Sequence, residues 1–116
     1  MKIFFKSFVY AWTGIADGFA NGRNMKSHAI SAIIVIVAGI LTGLSVSEWC
    51  IIILLMGGVM ALELMNTAVE YVVDLVTLDF HPLAKKAKDI AAGSVLIFAI
   101  ASAVIGCVIF LPKWFG

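Results

Sequence analysis

Residues Ile90–Leu111, IAAGSVLIFAIASAVIGCVIFL, form a run of 22 positions without a charge. A helix needs roughly 20 apolar residues to cross the hydrocarbon of a bilayer, so this run predicts a transmembrane helix. Two further runs point the same way. Ala29–Ser47 is uncharged over 19 positions, and Trp49–Leu62 is uncharged as well, with a helical pattern that continues through Glu63, Asn66 and Glu70 to about Val76. The chain as a whole is 63% hydrophobic and 13% charged, whereas a soluble domain is about half apolar and about a quarter charged. A chain of 116 residues cannot bury so much apolar surface in a core of its own. The expectation is an all-α integral membrane protein, one membrane domain over 1–116, with crossings at about 29–47, 49–76 and 82–111.

Residues 1–22 read differently. Phe5, Phe8, Trp12, Ile15 and Phe19 are spaced three, four, three and four apart, which makes one apolar stripe at 3.6 residues per turn. Lys6, Tyr10, Thr13, Asp17 and Asn21 fall opposite, so an amphipathic helix along the membrane surface is expected. Pro82, preceded by Asp79, Phe80 and His81, suits the first turn of a new helix. Lys2, Lys6, Arg23 and Lys26 precede the first crossing and Lys85, Lys86 and Lys88 lie between the second and third, against Lys113 alone on the other side. Basic residues favour the cytoplasmic side, which places the N-terminus and the second loop inside. No cleavable signal segment is expected.

The chemistry must reside in the polar residues that interrupt these helices. Glu63, Asn66, Glu70 and Asp74 follow one another at intervals of three, four and four and therefore share one face of an otherwise apolar helix. At 1.5 Å per residue from Trp49, Glu63 lies roughly 20 Å in and Glu70 roughly 30 Å in, so the stripe reaches the cytoplasmic boundary. Lys88 and Asp89 come to the same level. Each carboxylate held at membrane depth costs about 3 kcal/mol, less near the interface, so several together argue for function. Four acids and one lysine leave an excess of negative charge, which a divalent cation or a cationic partner would balance.

The stretch Glu63-Leu64-Met65-Asn66-Thr67-Ala68-Val69-Glu70, followed by Val73-Asp74 and by Ala87-Lys88-Asp89-Ile90-Ala91-Ala92-Gly93, closely resembles the prokaryotic diacylglycerol kinase family. The likeness spans nearly the whole chain and includes Tyr10, Trp12, Gly14 and Asn24. His81-Pro82-Leu83-Ala84-Lys85 and Phe110-Leu111-Pro112 resemble its Gram-positive branch of undecaprenol kinases.

The resemblance implies a homotrimer of three-crossing subunits in the bacterial plasma membrane, with cytoplasmic active sites built between neighbours. It implies ATP as co-substrate, Mg2+ as cofactor and a lipid alcohol, undecaprenol or diacylglycerol, as acceptor. Glu63 is then the general base, and Asn66 joins it in contacting the acceptor. Lys88 serves the catalytic centre and the ATP phosphates, with Tyr10, Asp74 and Asp89 also at the nucleotide, and Glu70 binds the metal. These roles make physical sense: a lipid alcohol attacks well only when its proton is accepted in the transition state, and a lysine and a magnesium ion offset the charge that spreads over a transferring phosphoryl group. One departure stands out. Position 22 is glycine where family members usually carry a glutamate that shares the metal with the residue matching Glu70; Asp17 is a possible substitute.

Other classes fit less well. There is no G-x-x-x-x-G-K-[ST] loop and no glycine-rich kinase loop, and a net charge of +1 without a basic run excludes nucleic acid as a partner. A channel or transporter subunit would continue its polar path toward the outer leaflet, and Trp49–Leu62 offers none. Cys50 and Cys107 read as packing residues, and His28 and His81 as helix-boundary residues engaged in capping or headgroup contact.

Overall fold

In a computed structural model, which describes residues 1–116, the chain folds into four helices: α1 (Lys2–Asn21), α2 (Met25–Thr42), α3 (Val46–Val76) and α4 (Pro82–Phe115). There is no strand. The last three helices are long and apolar enough to cross a membrane. The molecule is 19 Å thick along its shortest axis, about two helix diameters. A slab that thin has almost no interior, and only 11 of 116 residues are buried. Ile33, Ile34, Leu54, Ile97 and Val108 are among many large apolar side chains left exposed, as suits helices solvated by lipid rather than water.

The helix ends follow local chemistry. α2 stops at Thr42, short of the expected 47, because Gly43 takes a left-handed conformation (φ +82°) that ends the helix, a backbone state open mainly to glycine. Ser45 then caps α3. Its hydroxyl accepts from the Glu48 N–H at 3.2 Å, and the Glu48 carboxylate accepts from the Ser45 N–H at 2.9 Å, a reciprocal box that starts α3 at Val46 instead of 49. At the far end of α3, Thr77 and Asp79 turn the chain, and His81 Nδ1 accepts from the Leu83 N–H at 3.1 Å to cap α4 with Pro82 in its first turn. α4 runs beyond the expected 111, through Pro112 to Phe115. Proline removes one backbone donor there, and the last turn is held from outside: Trp114 Nε1 donates to Thr42 Oγ1 at 2.9 Å and Lys113 Nζ lies 3.1 Å from Glu48.

α3 is the central element, packed most extensively on α4. Ile52 meets Ile109 and Phe110, with Val35, Leu44 and Met56 around them. Gly58 lets the Phe98 ring lie directly on the α3 backbone, and Gly39 does the same for Trp49 on α2; an added Cβ at either position would overlap the ring. α1 leans on α3 through Gly18, where a Cβ would run into Leu64. Apart from Gly18 its residues are exposed or half-exposed, the apolar stripe of Phe5, Phe8 and Trp12 included.

Candidate active site

Helical spacing on α3 puts Glu63, Asn66, Thr67 and Glu70 on one face, turned toward the α1–α2 junction. Glu63, Asn66 and Thr67 are buried, Glu63 completely. Its Oε1 accepts from the Asn24 backbone N–H at 3.2 Å, and its Oε2 lies 3.6 Å from His28 Nε2. The Thr67 hydroxyl donates to the Glu63 carbonyl at 3.1 Å. One turn on, Asn66 Nδ2 donates to Glu70 Oε1 at 3.4 Å, and the exposed Arg23 guanidinium stands 3.6 Å from that oxygen. Met25, in the first turn of α2 and close to Gly22, is fully buried at the same junction.

Two buried oxygens, Glu63 Oε2 and Asn66 Oδ1, have no hydrogen-bond partner. An unsatisfied polar atom in a closed site costs about 1–3 kcal/mol. Both are acceptors on one side of α3; a hydroxyl satisfies one of them, and a group with two donors or a positive charge serves both.

The remaining residues that sequence reading assigned to the site do not join this cluster within one chain. Lys88 Nζ pairs with Asp74 Oδ1 at 2.7 Å, one turn beyond Glu70, and both side chains are more than a third exposed. Asp89 pairs with Lys85 at 2.6 Å on the surface of α4. Tyr10 is exposed on α1 and makes no polar side-chain contact. Asp17 is engaged: its two oxygens accept from Asn21 Nδ2 at 2.8 Å and from the Tyr71 hydroxyl at 2.9 Å. The contacts that sequence reading missed are those of Asn24, His28, Arg23 and Thr67. Thr67 was accessible to it, since it lies four residues after Glu63 on the same helical face. The others come from the preceding junction and carried no spacing signal.

No three His, Cys, Asp or Glu side chains come close enough to hold a metal ion. Glu70 is the one carboxylate of the cluster near solvent, with a side chain 20% exposed. That donor set does not fit an ion held by protein alone. It does fit magnesium, which keeps several waters and binds through one or two carboxylates together with substrate phosphates.

Away from the acids, an apolar groove of about 460 Å³ runs between α2, α3 and α4 from His28 to Trp114, walled by Val35, Met56, Ala99 and Phe110 among others. His28 thus borders both the groove and the buried carboxylate. The profile of the family described as prokaryotic diacylglycerol kinase matches residues 9–110. An undecaprenol kinase of Bacillus subtilis is 54% identical over 95% of this chain and 89% of its own length. A diacylglycerol kinase of Synechocystis is 46% identical over 91% of this chain and 61% of its own length, and one of Escherichia coli is 25% identical over 86% and 82%.

Proposed function

This chain belongs to the prokaryotic diacylglycerol kinase family, and on that premise we propose that it transfers the γ-phosphoryl group of ATP to the hydroxyl of undecaprenol. It is a membrane lipid kinase, a phosphotransferase with an alcohol acceptor. The observation that carries the site assignment is the buried Glu63 carboxylate with Oε2 lacking a donor. An alcohol O–H supplies that donor. As the alcohol oxygen attacks the γ-phosphorus, its proton passes to Glu63, the new P–O bond forms, and the bond to the β–γ bridging oxygen breaks to release ADP. Asn66 lies beside the acceptor, whose single proton goes to Glu63, so its Oδ1, the second unpartnered oxygen, accepts from a separate donor at the site. The long prenyl tail stays in hydrocarbon, where the apolar groove ending at His28 meets the site.

Lys88, held by Asp74 in an exposed pair, turns to the nucleotide phosphates, with Asp89 and Tyr10 completing the nucleotide contacts. When bound with ATP, magnesium offsets the phosphate charge, with Glu70 as its ligand from the protein. Arg23, beside the same Glu70 oxygen, competes for it when the metal is absent. The excess of basic residues before α2 and between α3 and α4 supports a cytoplasmic location for this end of the molecule.

Assembly as a homotrimer explains what a single chain leaves open. It would cover the Asp74–Lys88 pair and bring the nucleotide residues of one subunit to the acids of its neighbour. The α1 stripe of Phe5, Phe8 and Trp12, exposed in the monomer, lies in the membrane interface.

The similarity to a diacylglycerol kinase supports a second reading in which diacylglycerol is the acceptor. Purified protein in detergent is expected to transfer labelled γ-phosphate to undecaprenol faster than to diacylglycerol. The reverse ranking would replace the acceptor and keep the kinase. Glu63→Gln is expected to lower turnover by about 10²–10⁴-fold with assembly unchanged, and a fully active variant would end the assignment of Glu63 as base.

A further inference from the structure

The start of α2 brings a nitrogen toward each Glu63 carboxylate oxygen, one hydrogen-bonded to Oε1 and one just beyond bonding distance of Oε2. Asn24 offers its backbone N–H to Oε1 at 3.2 Å, and His28 presents Nε2 to Oε2 at 3.6 Å. The two residues are four apart, one helical turn, and are joined by the bond from the His28 N–H to the Asn24 carbonyl at 3.1 Å. The imidazole is mostly buried, with 19% of its side chain exposed. It makes no hydrogen bond, and it borders the apolar groove. A shift of about 0.6 Å brings Nε2 and Oε2 to an ordinary bonding distance, and among the Lys, Arg and His side chains only His28 lies within 4.0 Å of Glu63.

We propose that His28 is a positioning residue for the general base: with the Asn24 N–H it clamps the Glu63 carboxylate in one rotamer, Nε2 engaging one lone pair of Oε2 and leaving the other to the incoming alcohol. The inference rests on the reading of Glu63 as base. A carboxylate held by a backbone amide alone swings about one contact. A second anchor on the same helical turn fixes its plane, and proton acceptance depends on that alignment. His28 needs only a proton on Nε2 and no change of charge during turnover.

The test uses the whole protein in detergent with ATP and a lipid alcohol. His28→Leu is expected to lower kcat by about tenfold to a hundredfold, while KM for ATP and for the alcohol stays within about twofold. His28→Gln, whose amide nitrogen reaches the place of Nε2, is expected to recover most of the rate. Should His28→Leu fail to assemble, His28→Asn, too short to reach Oε2, takes its place against His28→Gln. In a Glu63→Gln background the His28 substitution is expected to cause no additional loss, because the two residues act as a unit.

A rise in KM with kcat kept would overturn the proposal, as would equal defects in the Gln and Leu variants or losses that multiply in the double variant. An active Glu63→Gln single variant would instead remove the base assignment, and the positioning role with it.

Discussion

Restoring a carboxylate at position 22 separates two forces that meet there. The Gly22 N–H donates to the Gly18 carbonyl at 2.8 Å, and an added Cβ would run into that same oxygen while standing 3.2 Å from Thr67 Oγ1 and 3.3 Å from Met25 Cβ. Neither side chain moves away easily, because Met25 is fully buried and Thr67 is tied to the Glu63 carbonyl. Overpacking of this kind costs about 1–3 kcal/mol. Replacing glycine returns about 0.4–1 kcal/mol through the unfolded chain. Gly22→Ala is therefore expected to be about 1–2 kcal/mol less stable than the parent, as read from denaturant unfolding in detergent.

Gly22→Glu carries the same steric cost plus a carboxylate next in the chain to Arg23, which stands 3.6 Å from Glu70, the proposed metal ligand. Its expected signature is a magnesium half-saturation about tenfold lower than that of Gly22→Ala, equivalent to about 1.4 kcal/mol, measured by kinase assay at saturating ATP. An alanine variant as stable as the parent would refute the packing argument. Matching magnesium curves for the two variants would refute the claim that this position reaches the metal.

Two further substitutions test other links. Ser45→Ala removes one half of the α3 capping box and is expected to cost about 1 kcal/mol of stability with kcat unchanged, since the cap lies at the end of α3 opposite the acids; lost activity at full stability would contradict this. Lys88→Met breaks a pair more than a third exposed on both sides, so stability should change by less than about 1 kcal/mol. Turnover should fall by about a hundredfold or more if Lys88 serves the phosphates, and a normal kcat would show that the lysine is only Asp74's partner.

Much of the fold was readable before any packing was known, because length and hydropathy decide which segments cross a bilayer. The helix ends were less accessible. The Ser45-x-x-Glu48 pattern was present in the chain as a start signal, but the charge of Glu48 marked the boundary only to within a few residues. Gly43 terminates α2 through a backbone angle that composition does not reveal. The continuation of α4 past Pro112 depends on Trp114 and Lys113 reaching α2 and the start of α3, contacts of high sequence separation.

The same division runs through the site. Spacing alone aligns Glu63, Asn66, Glu70 and Asp74, because 3.6 residues per turn places such intervals on one face whatever the helix packs against. Their burial and partners follow from how α2 meets α3. The Asn24 amide lies 39 residues from Glu63 in the chain, and His28 reaches the same carboxylate only because both helices converge behind Met25. Local periodicity is a property of one helix and is written in the order of its residues. Whether a carboxylate is sealed, clamped or left with a free oxygen depends on the surfaces brought against it, and no interval along the chain encodes that.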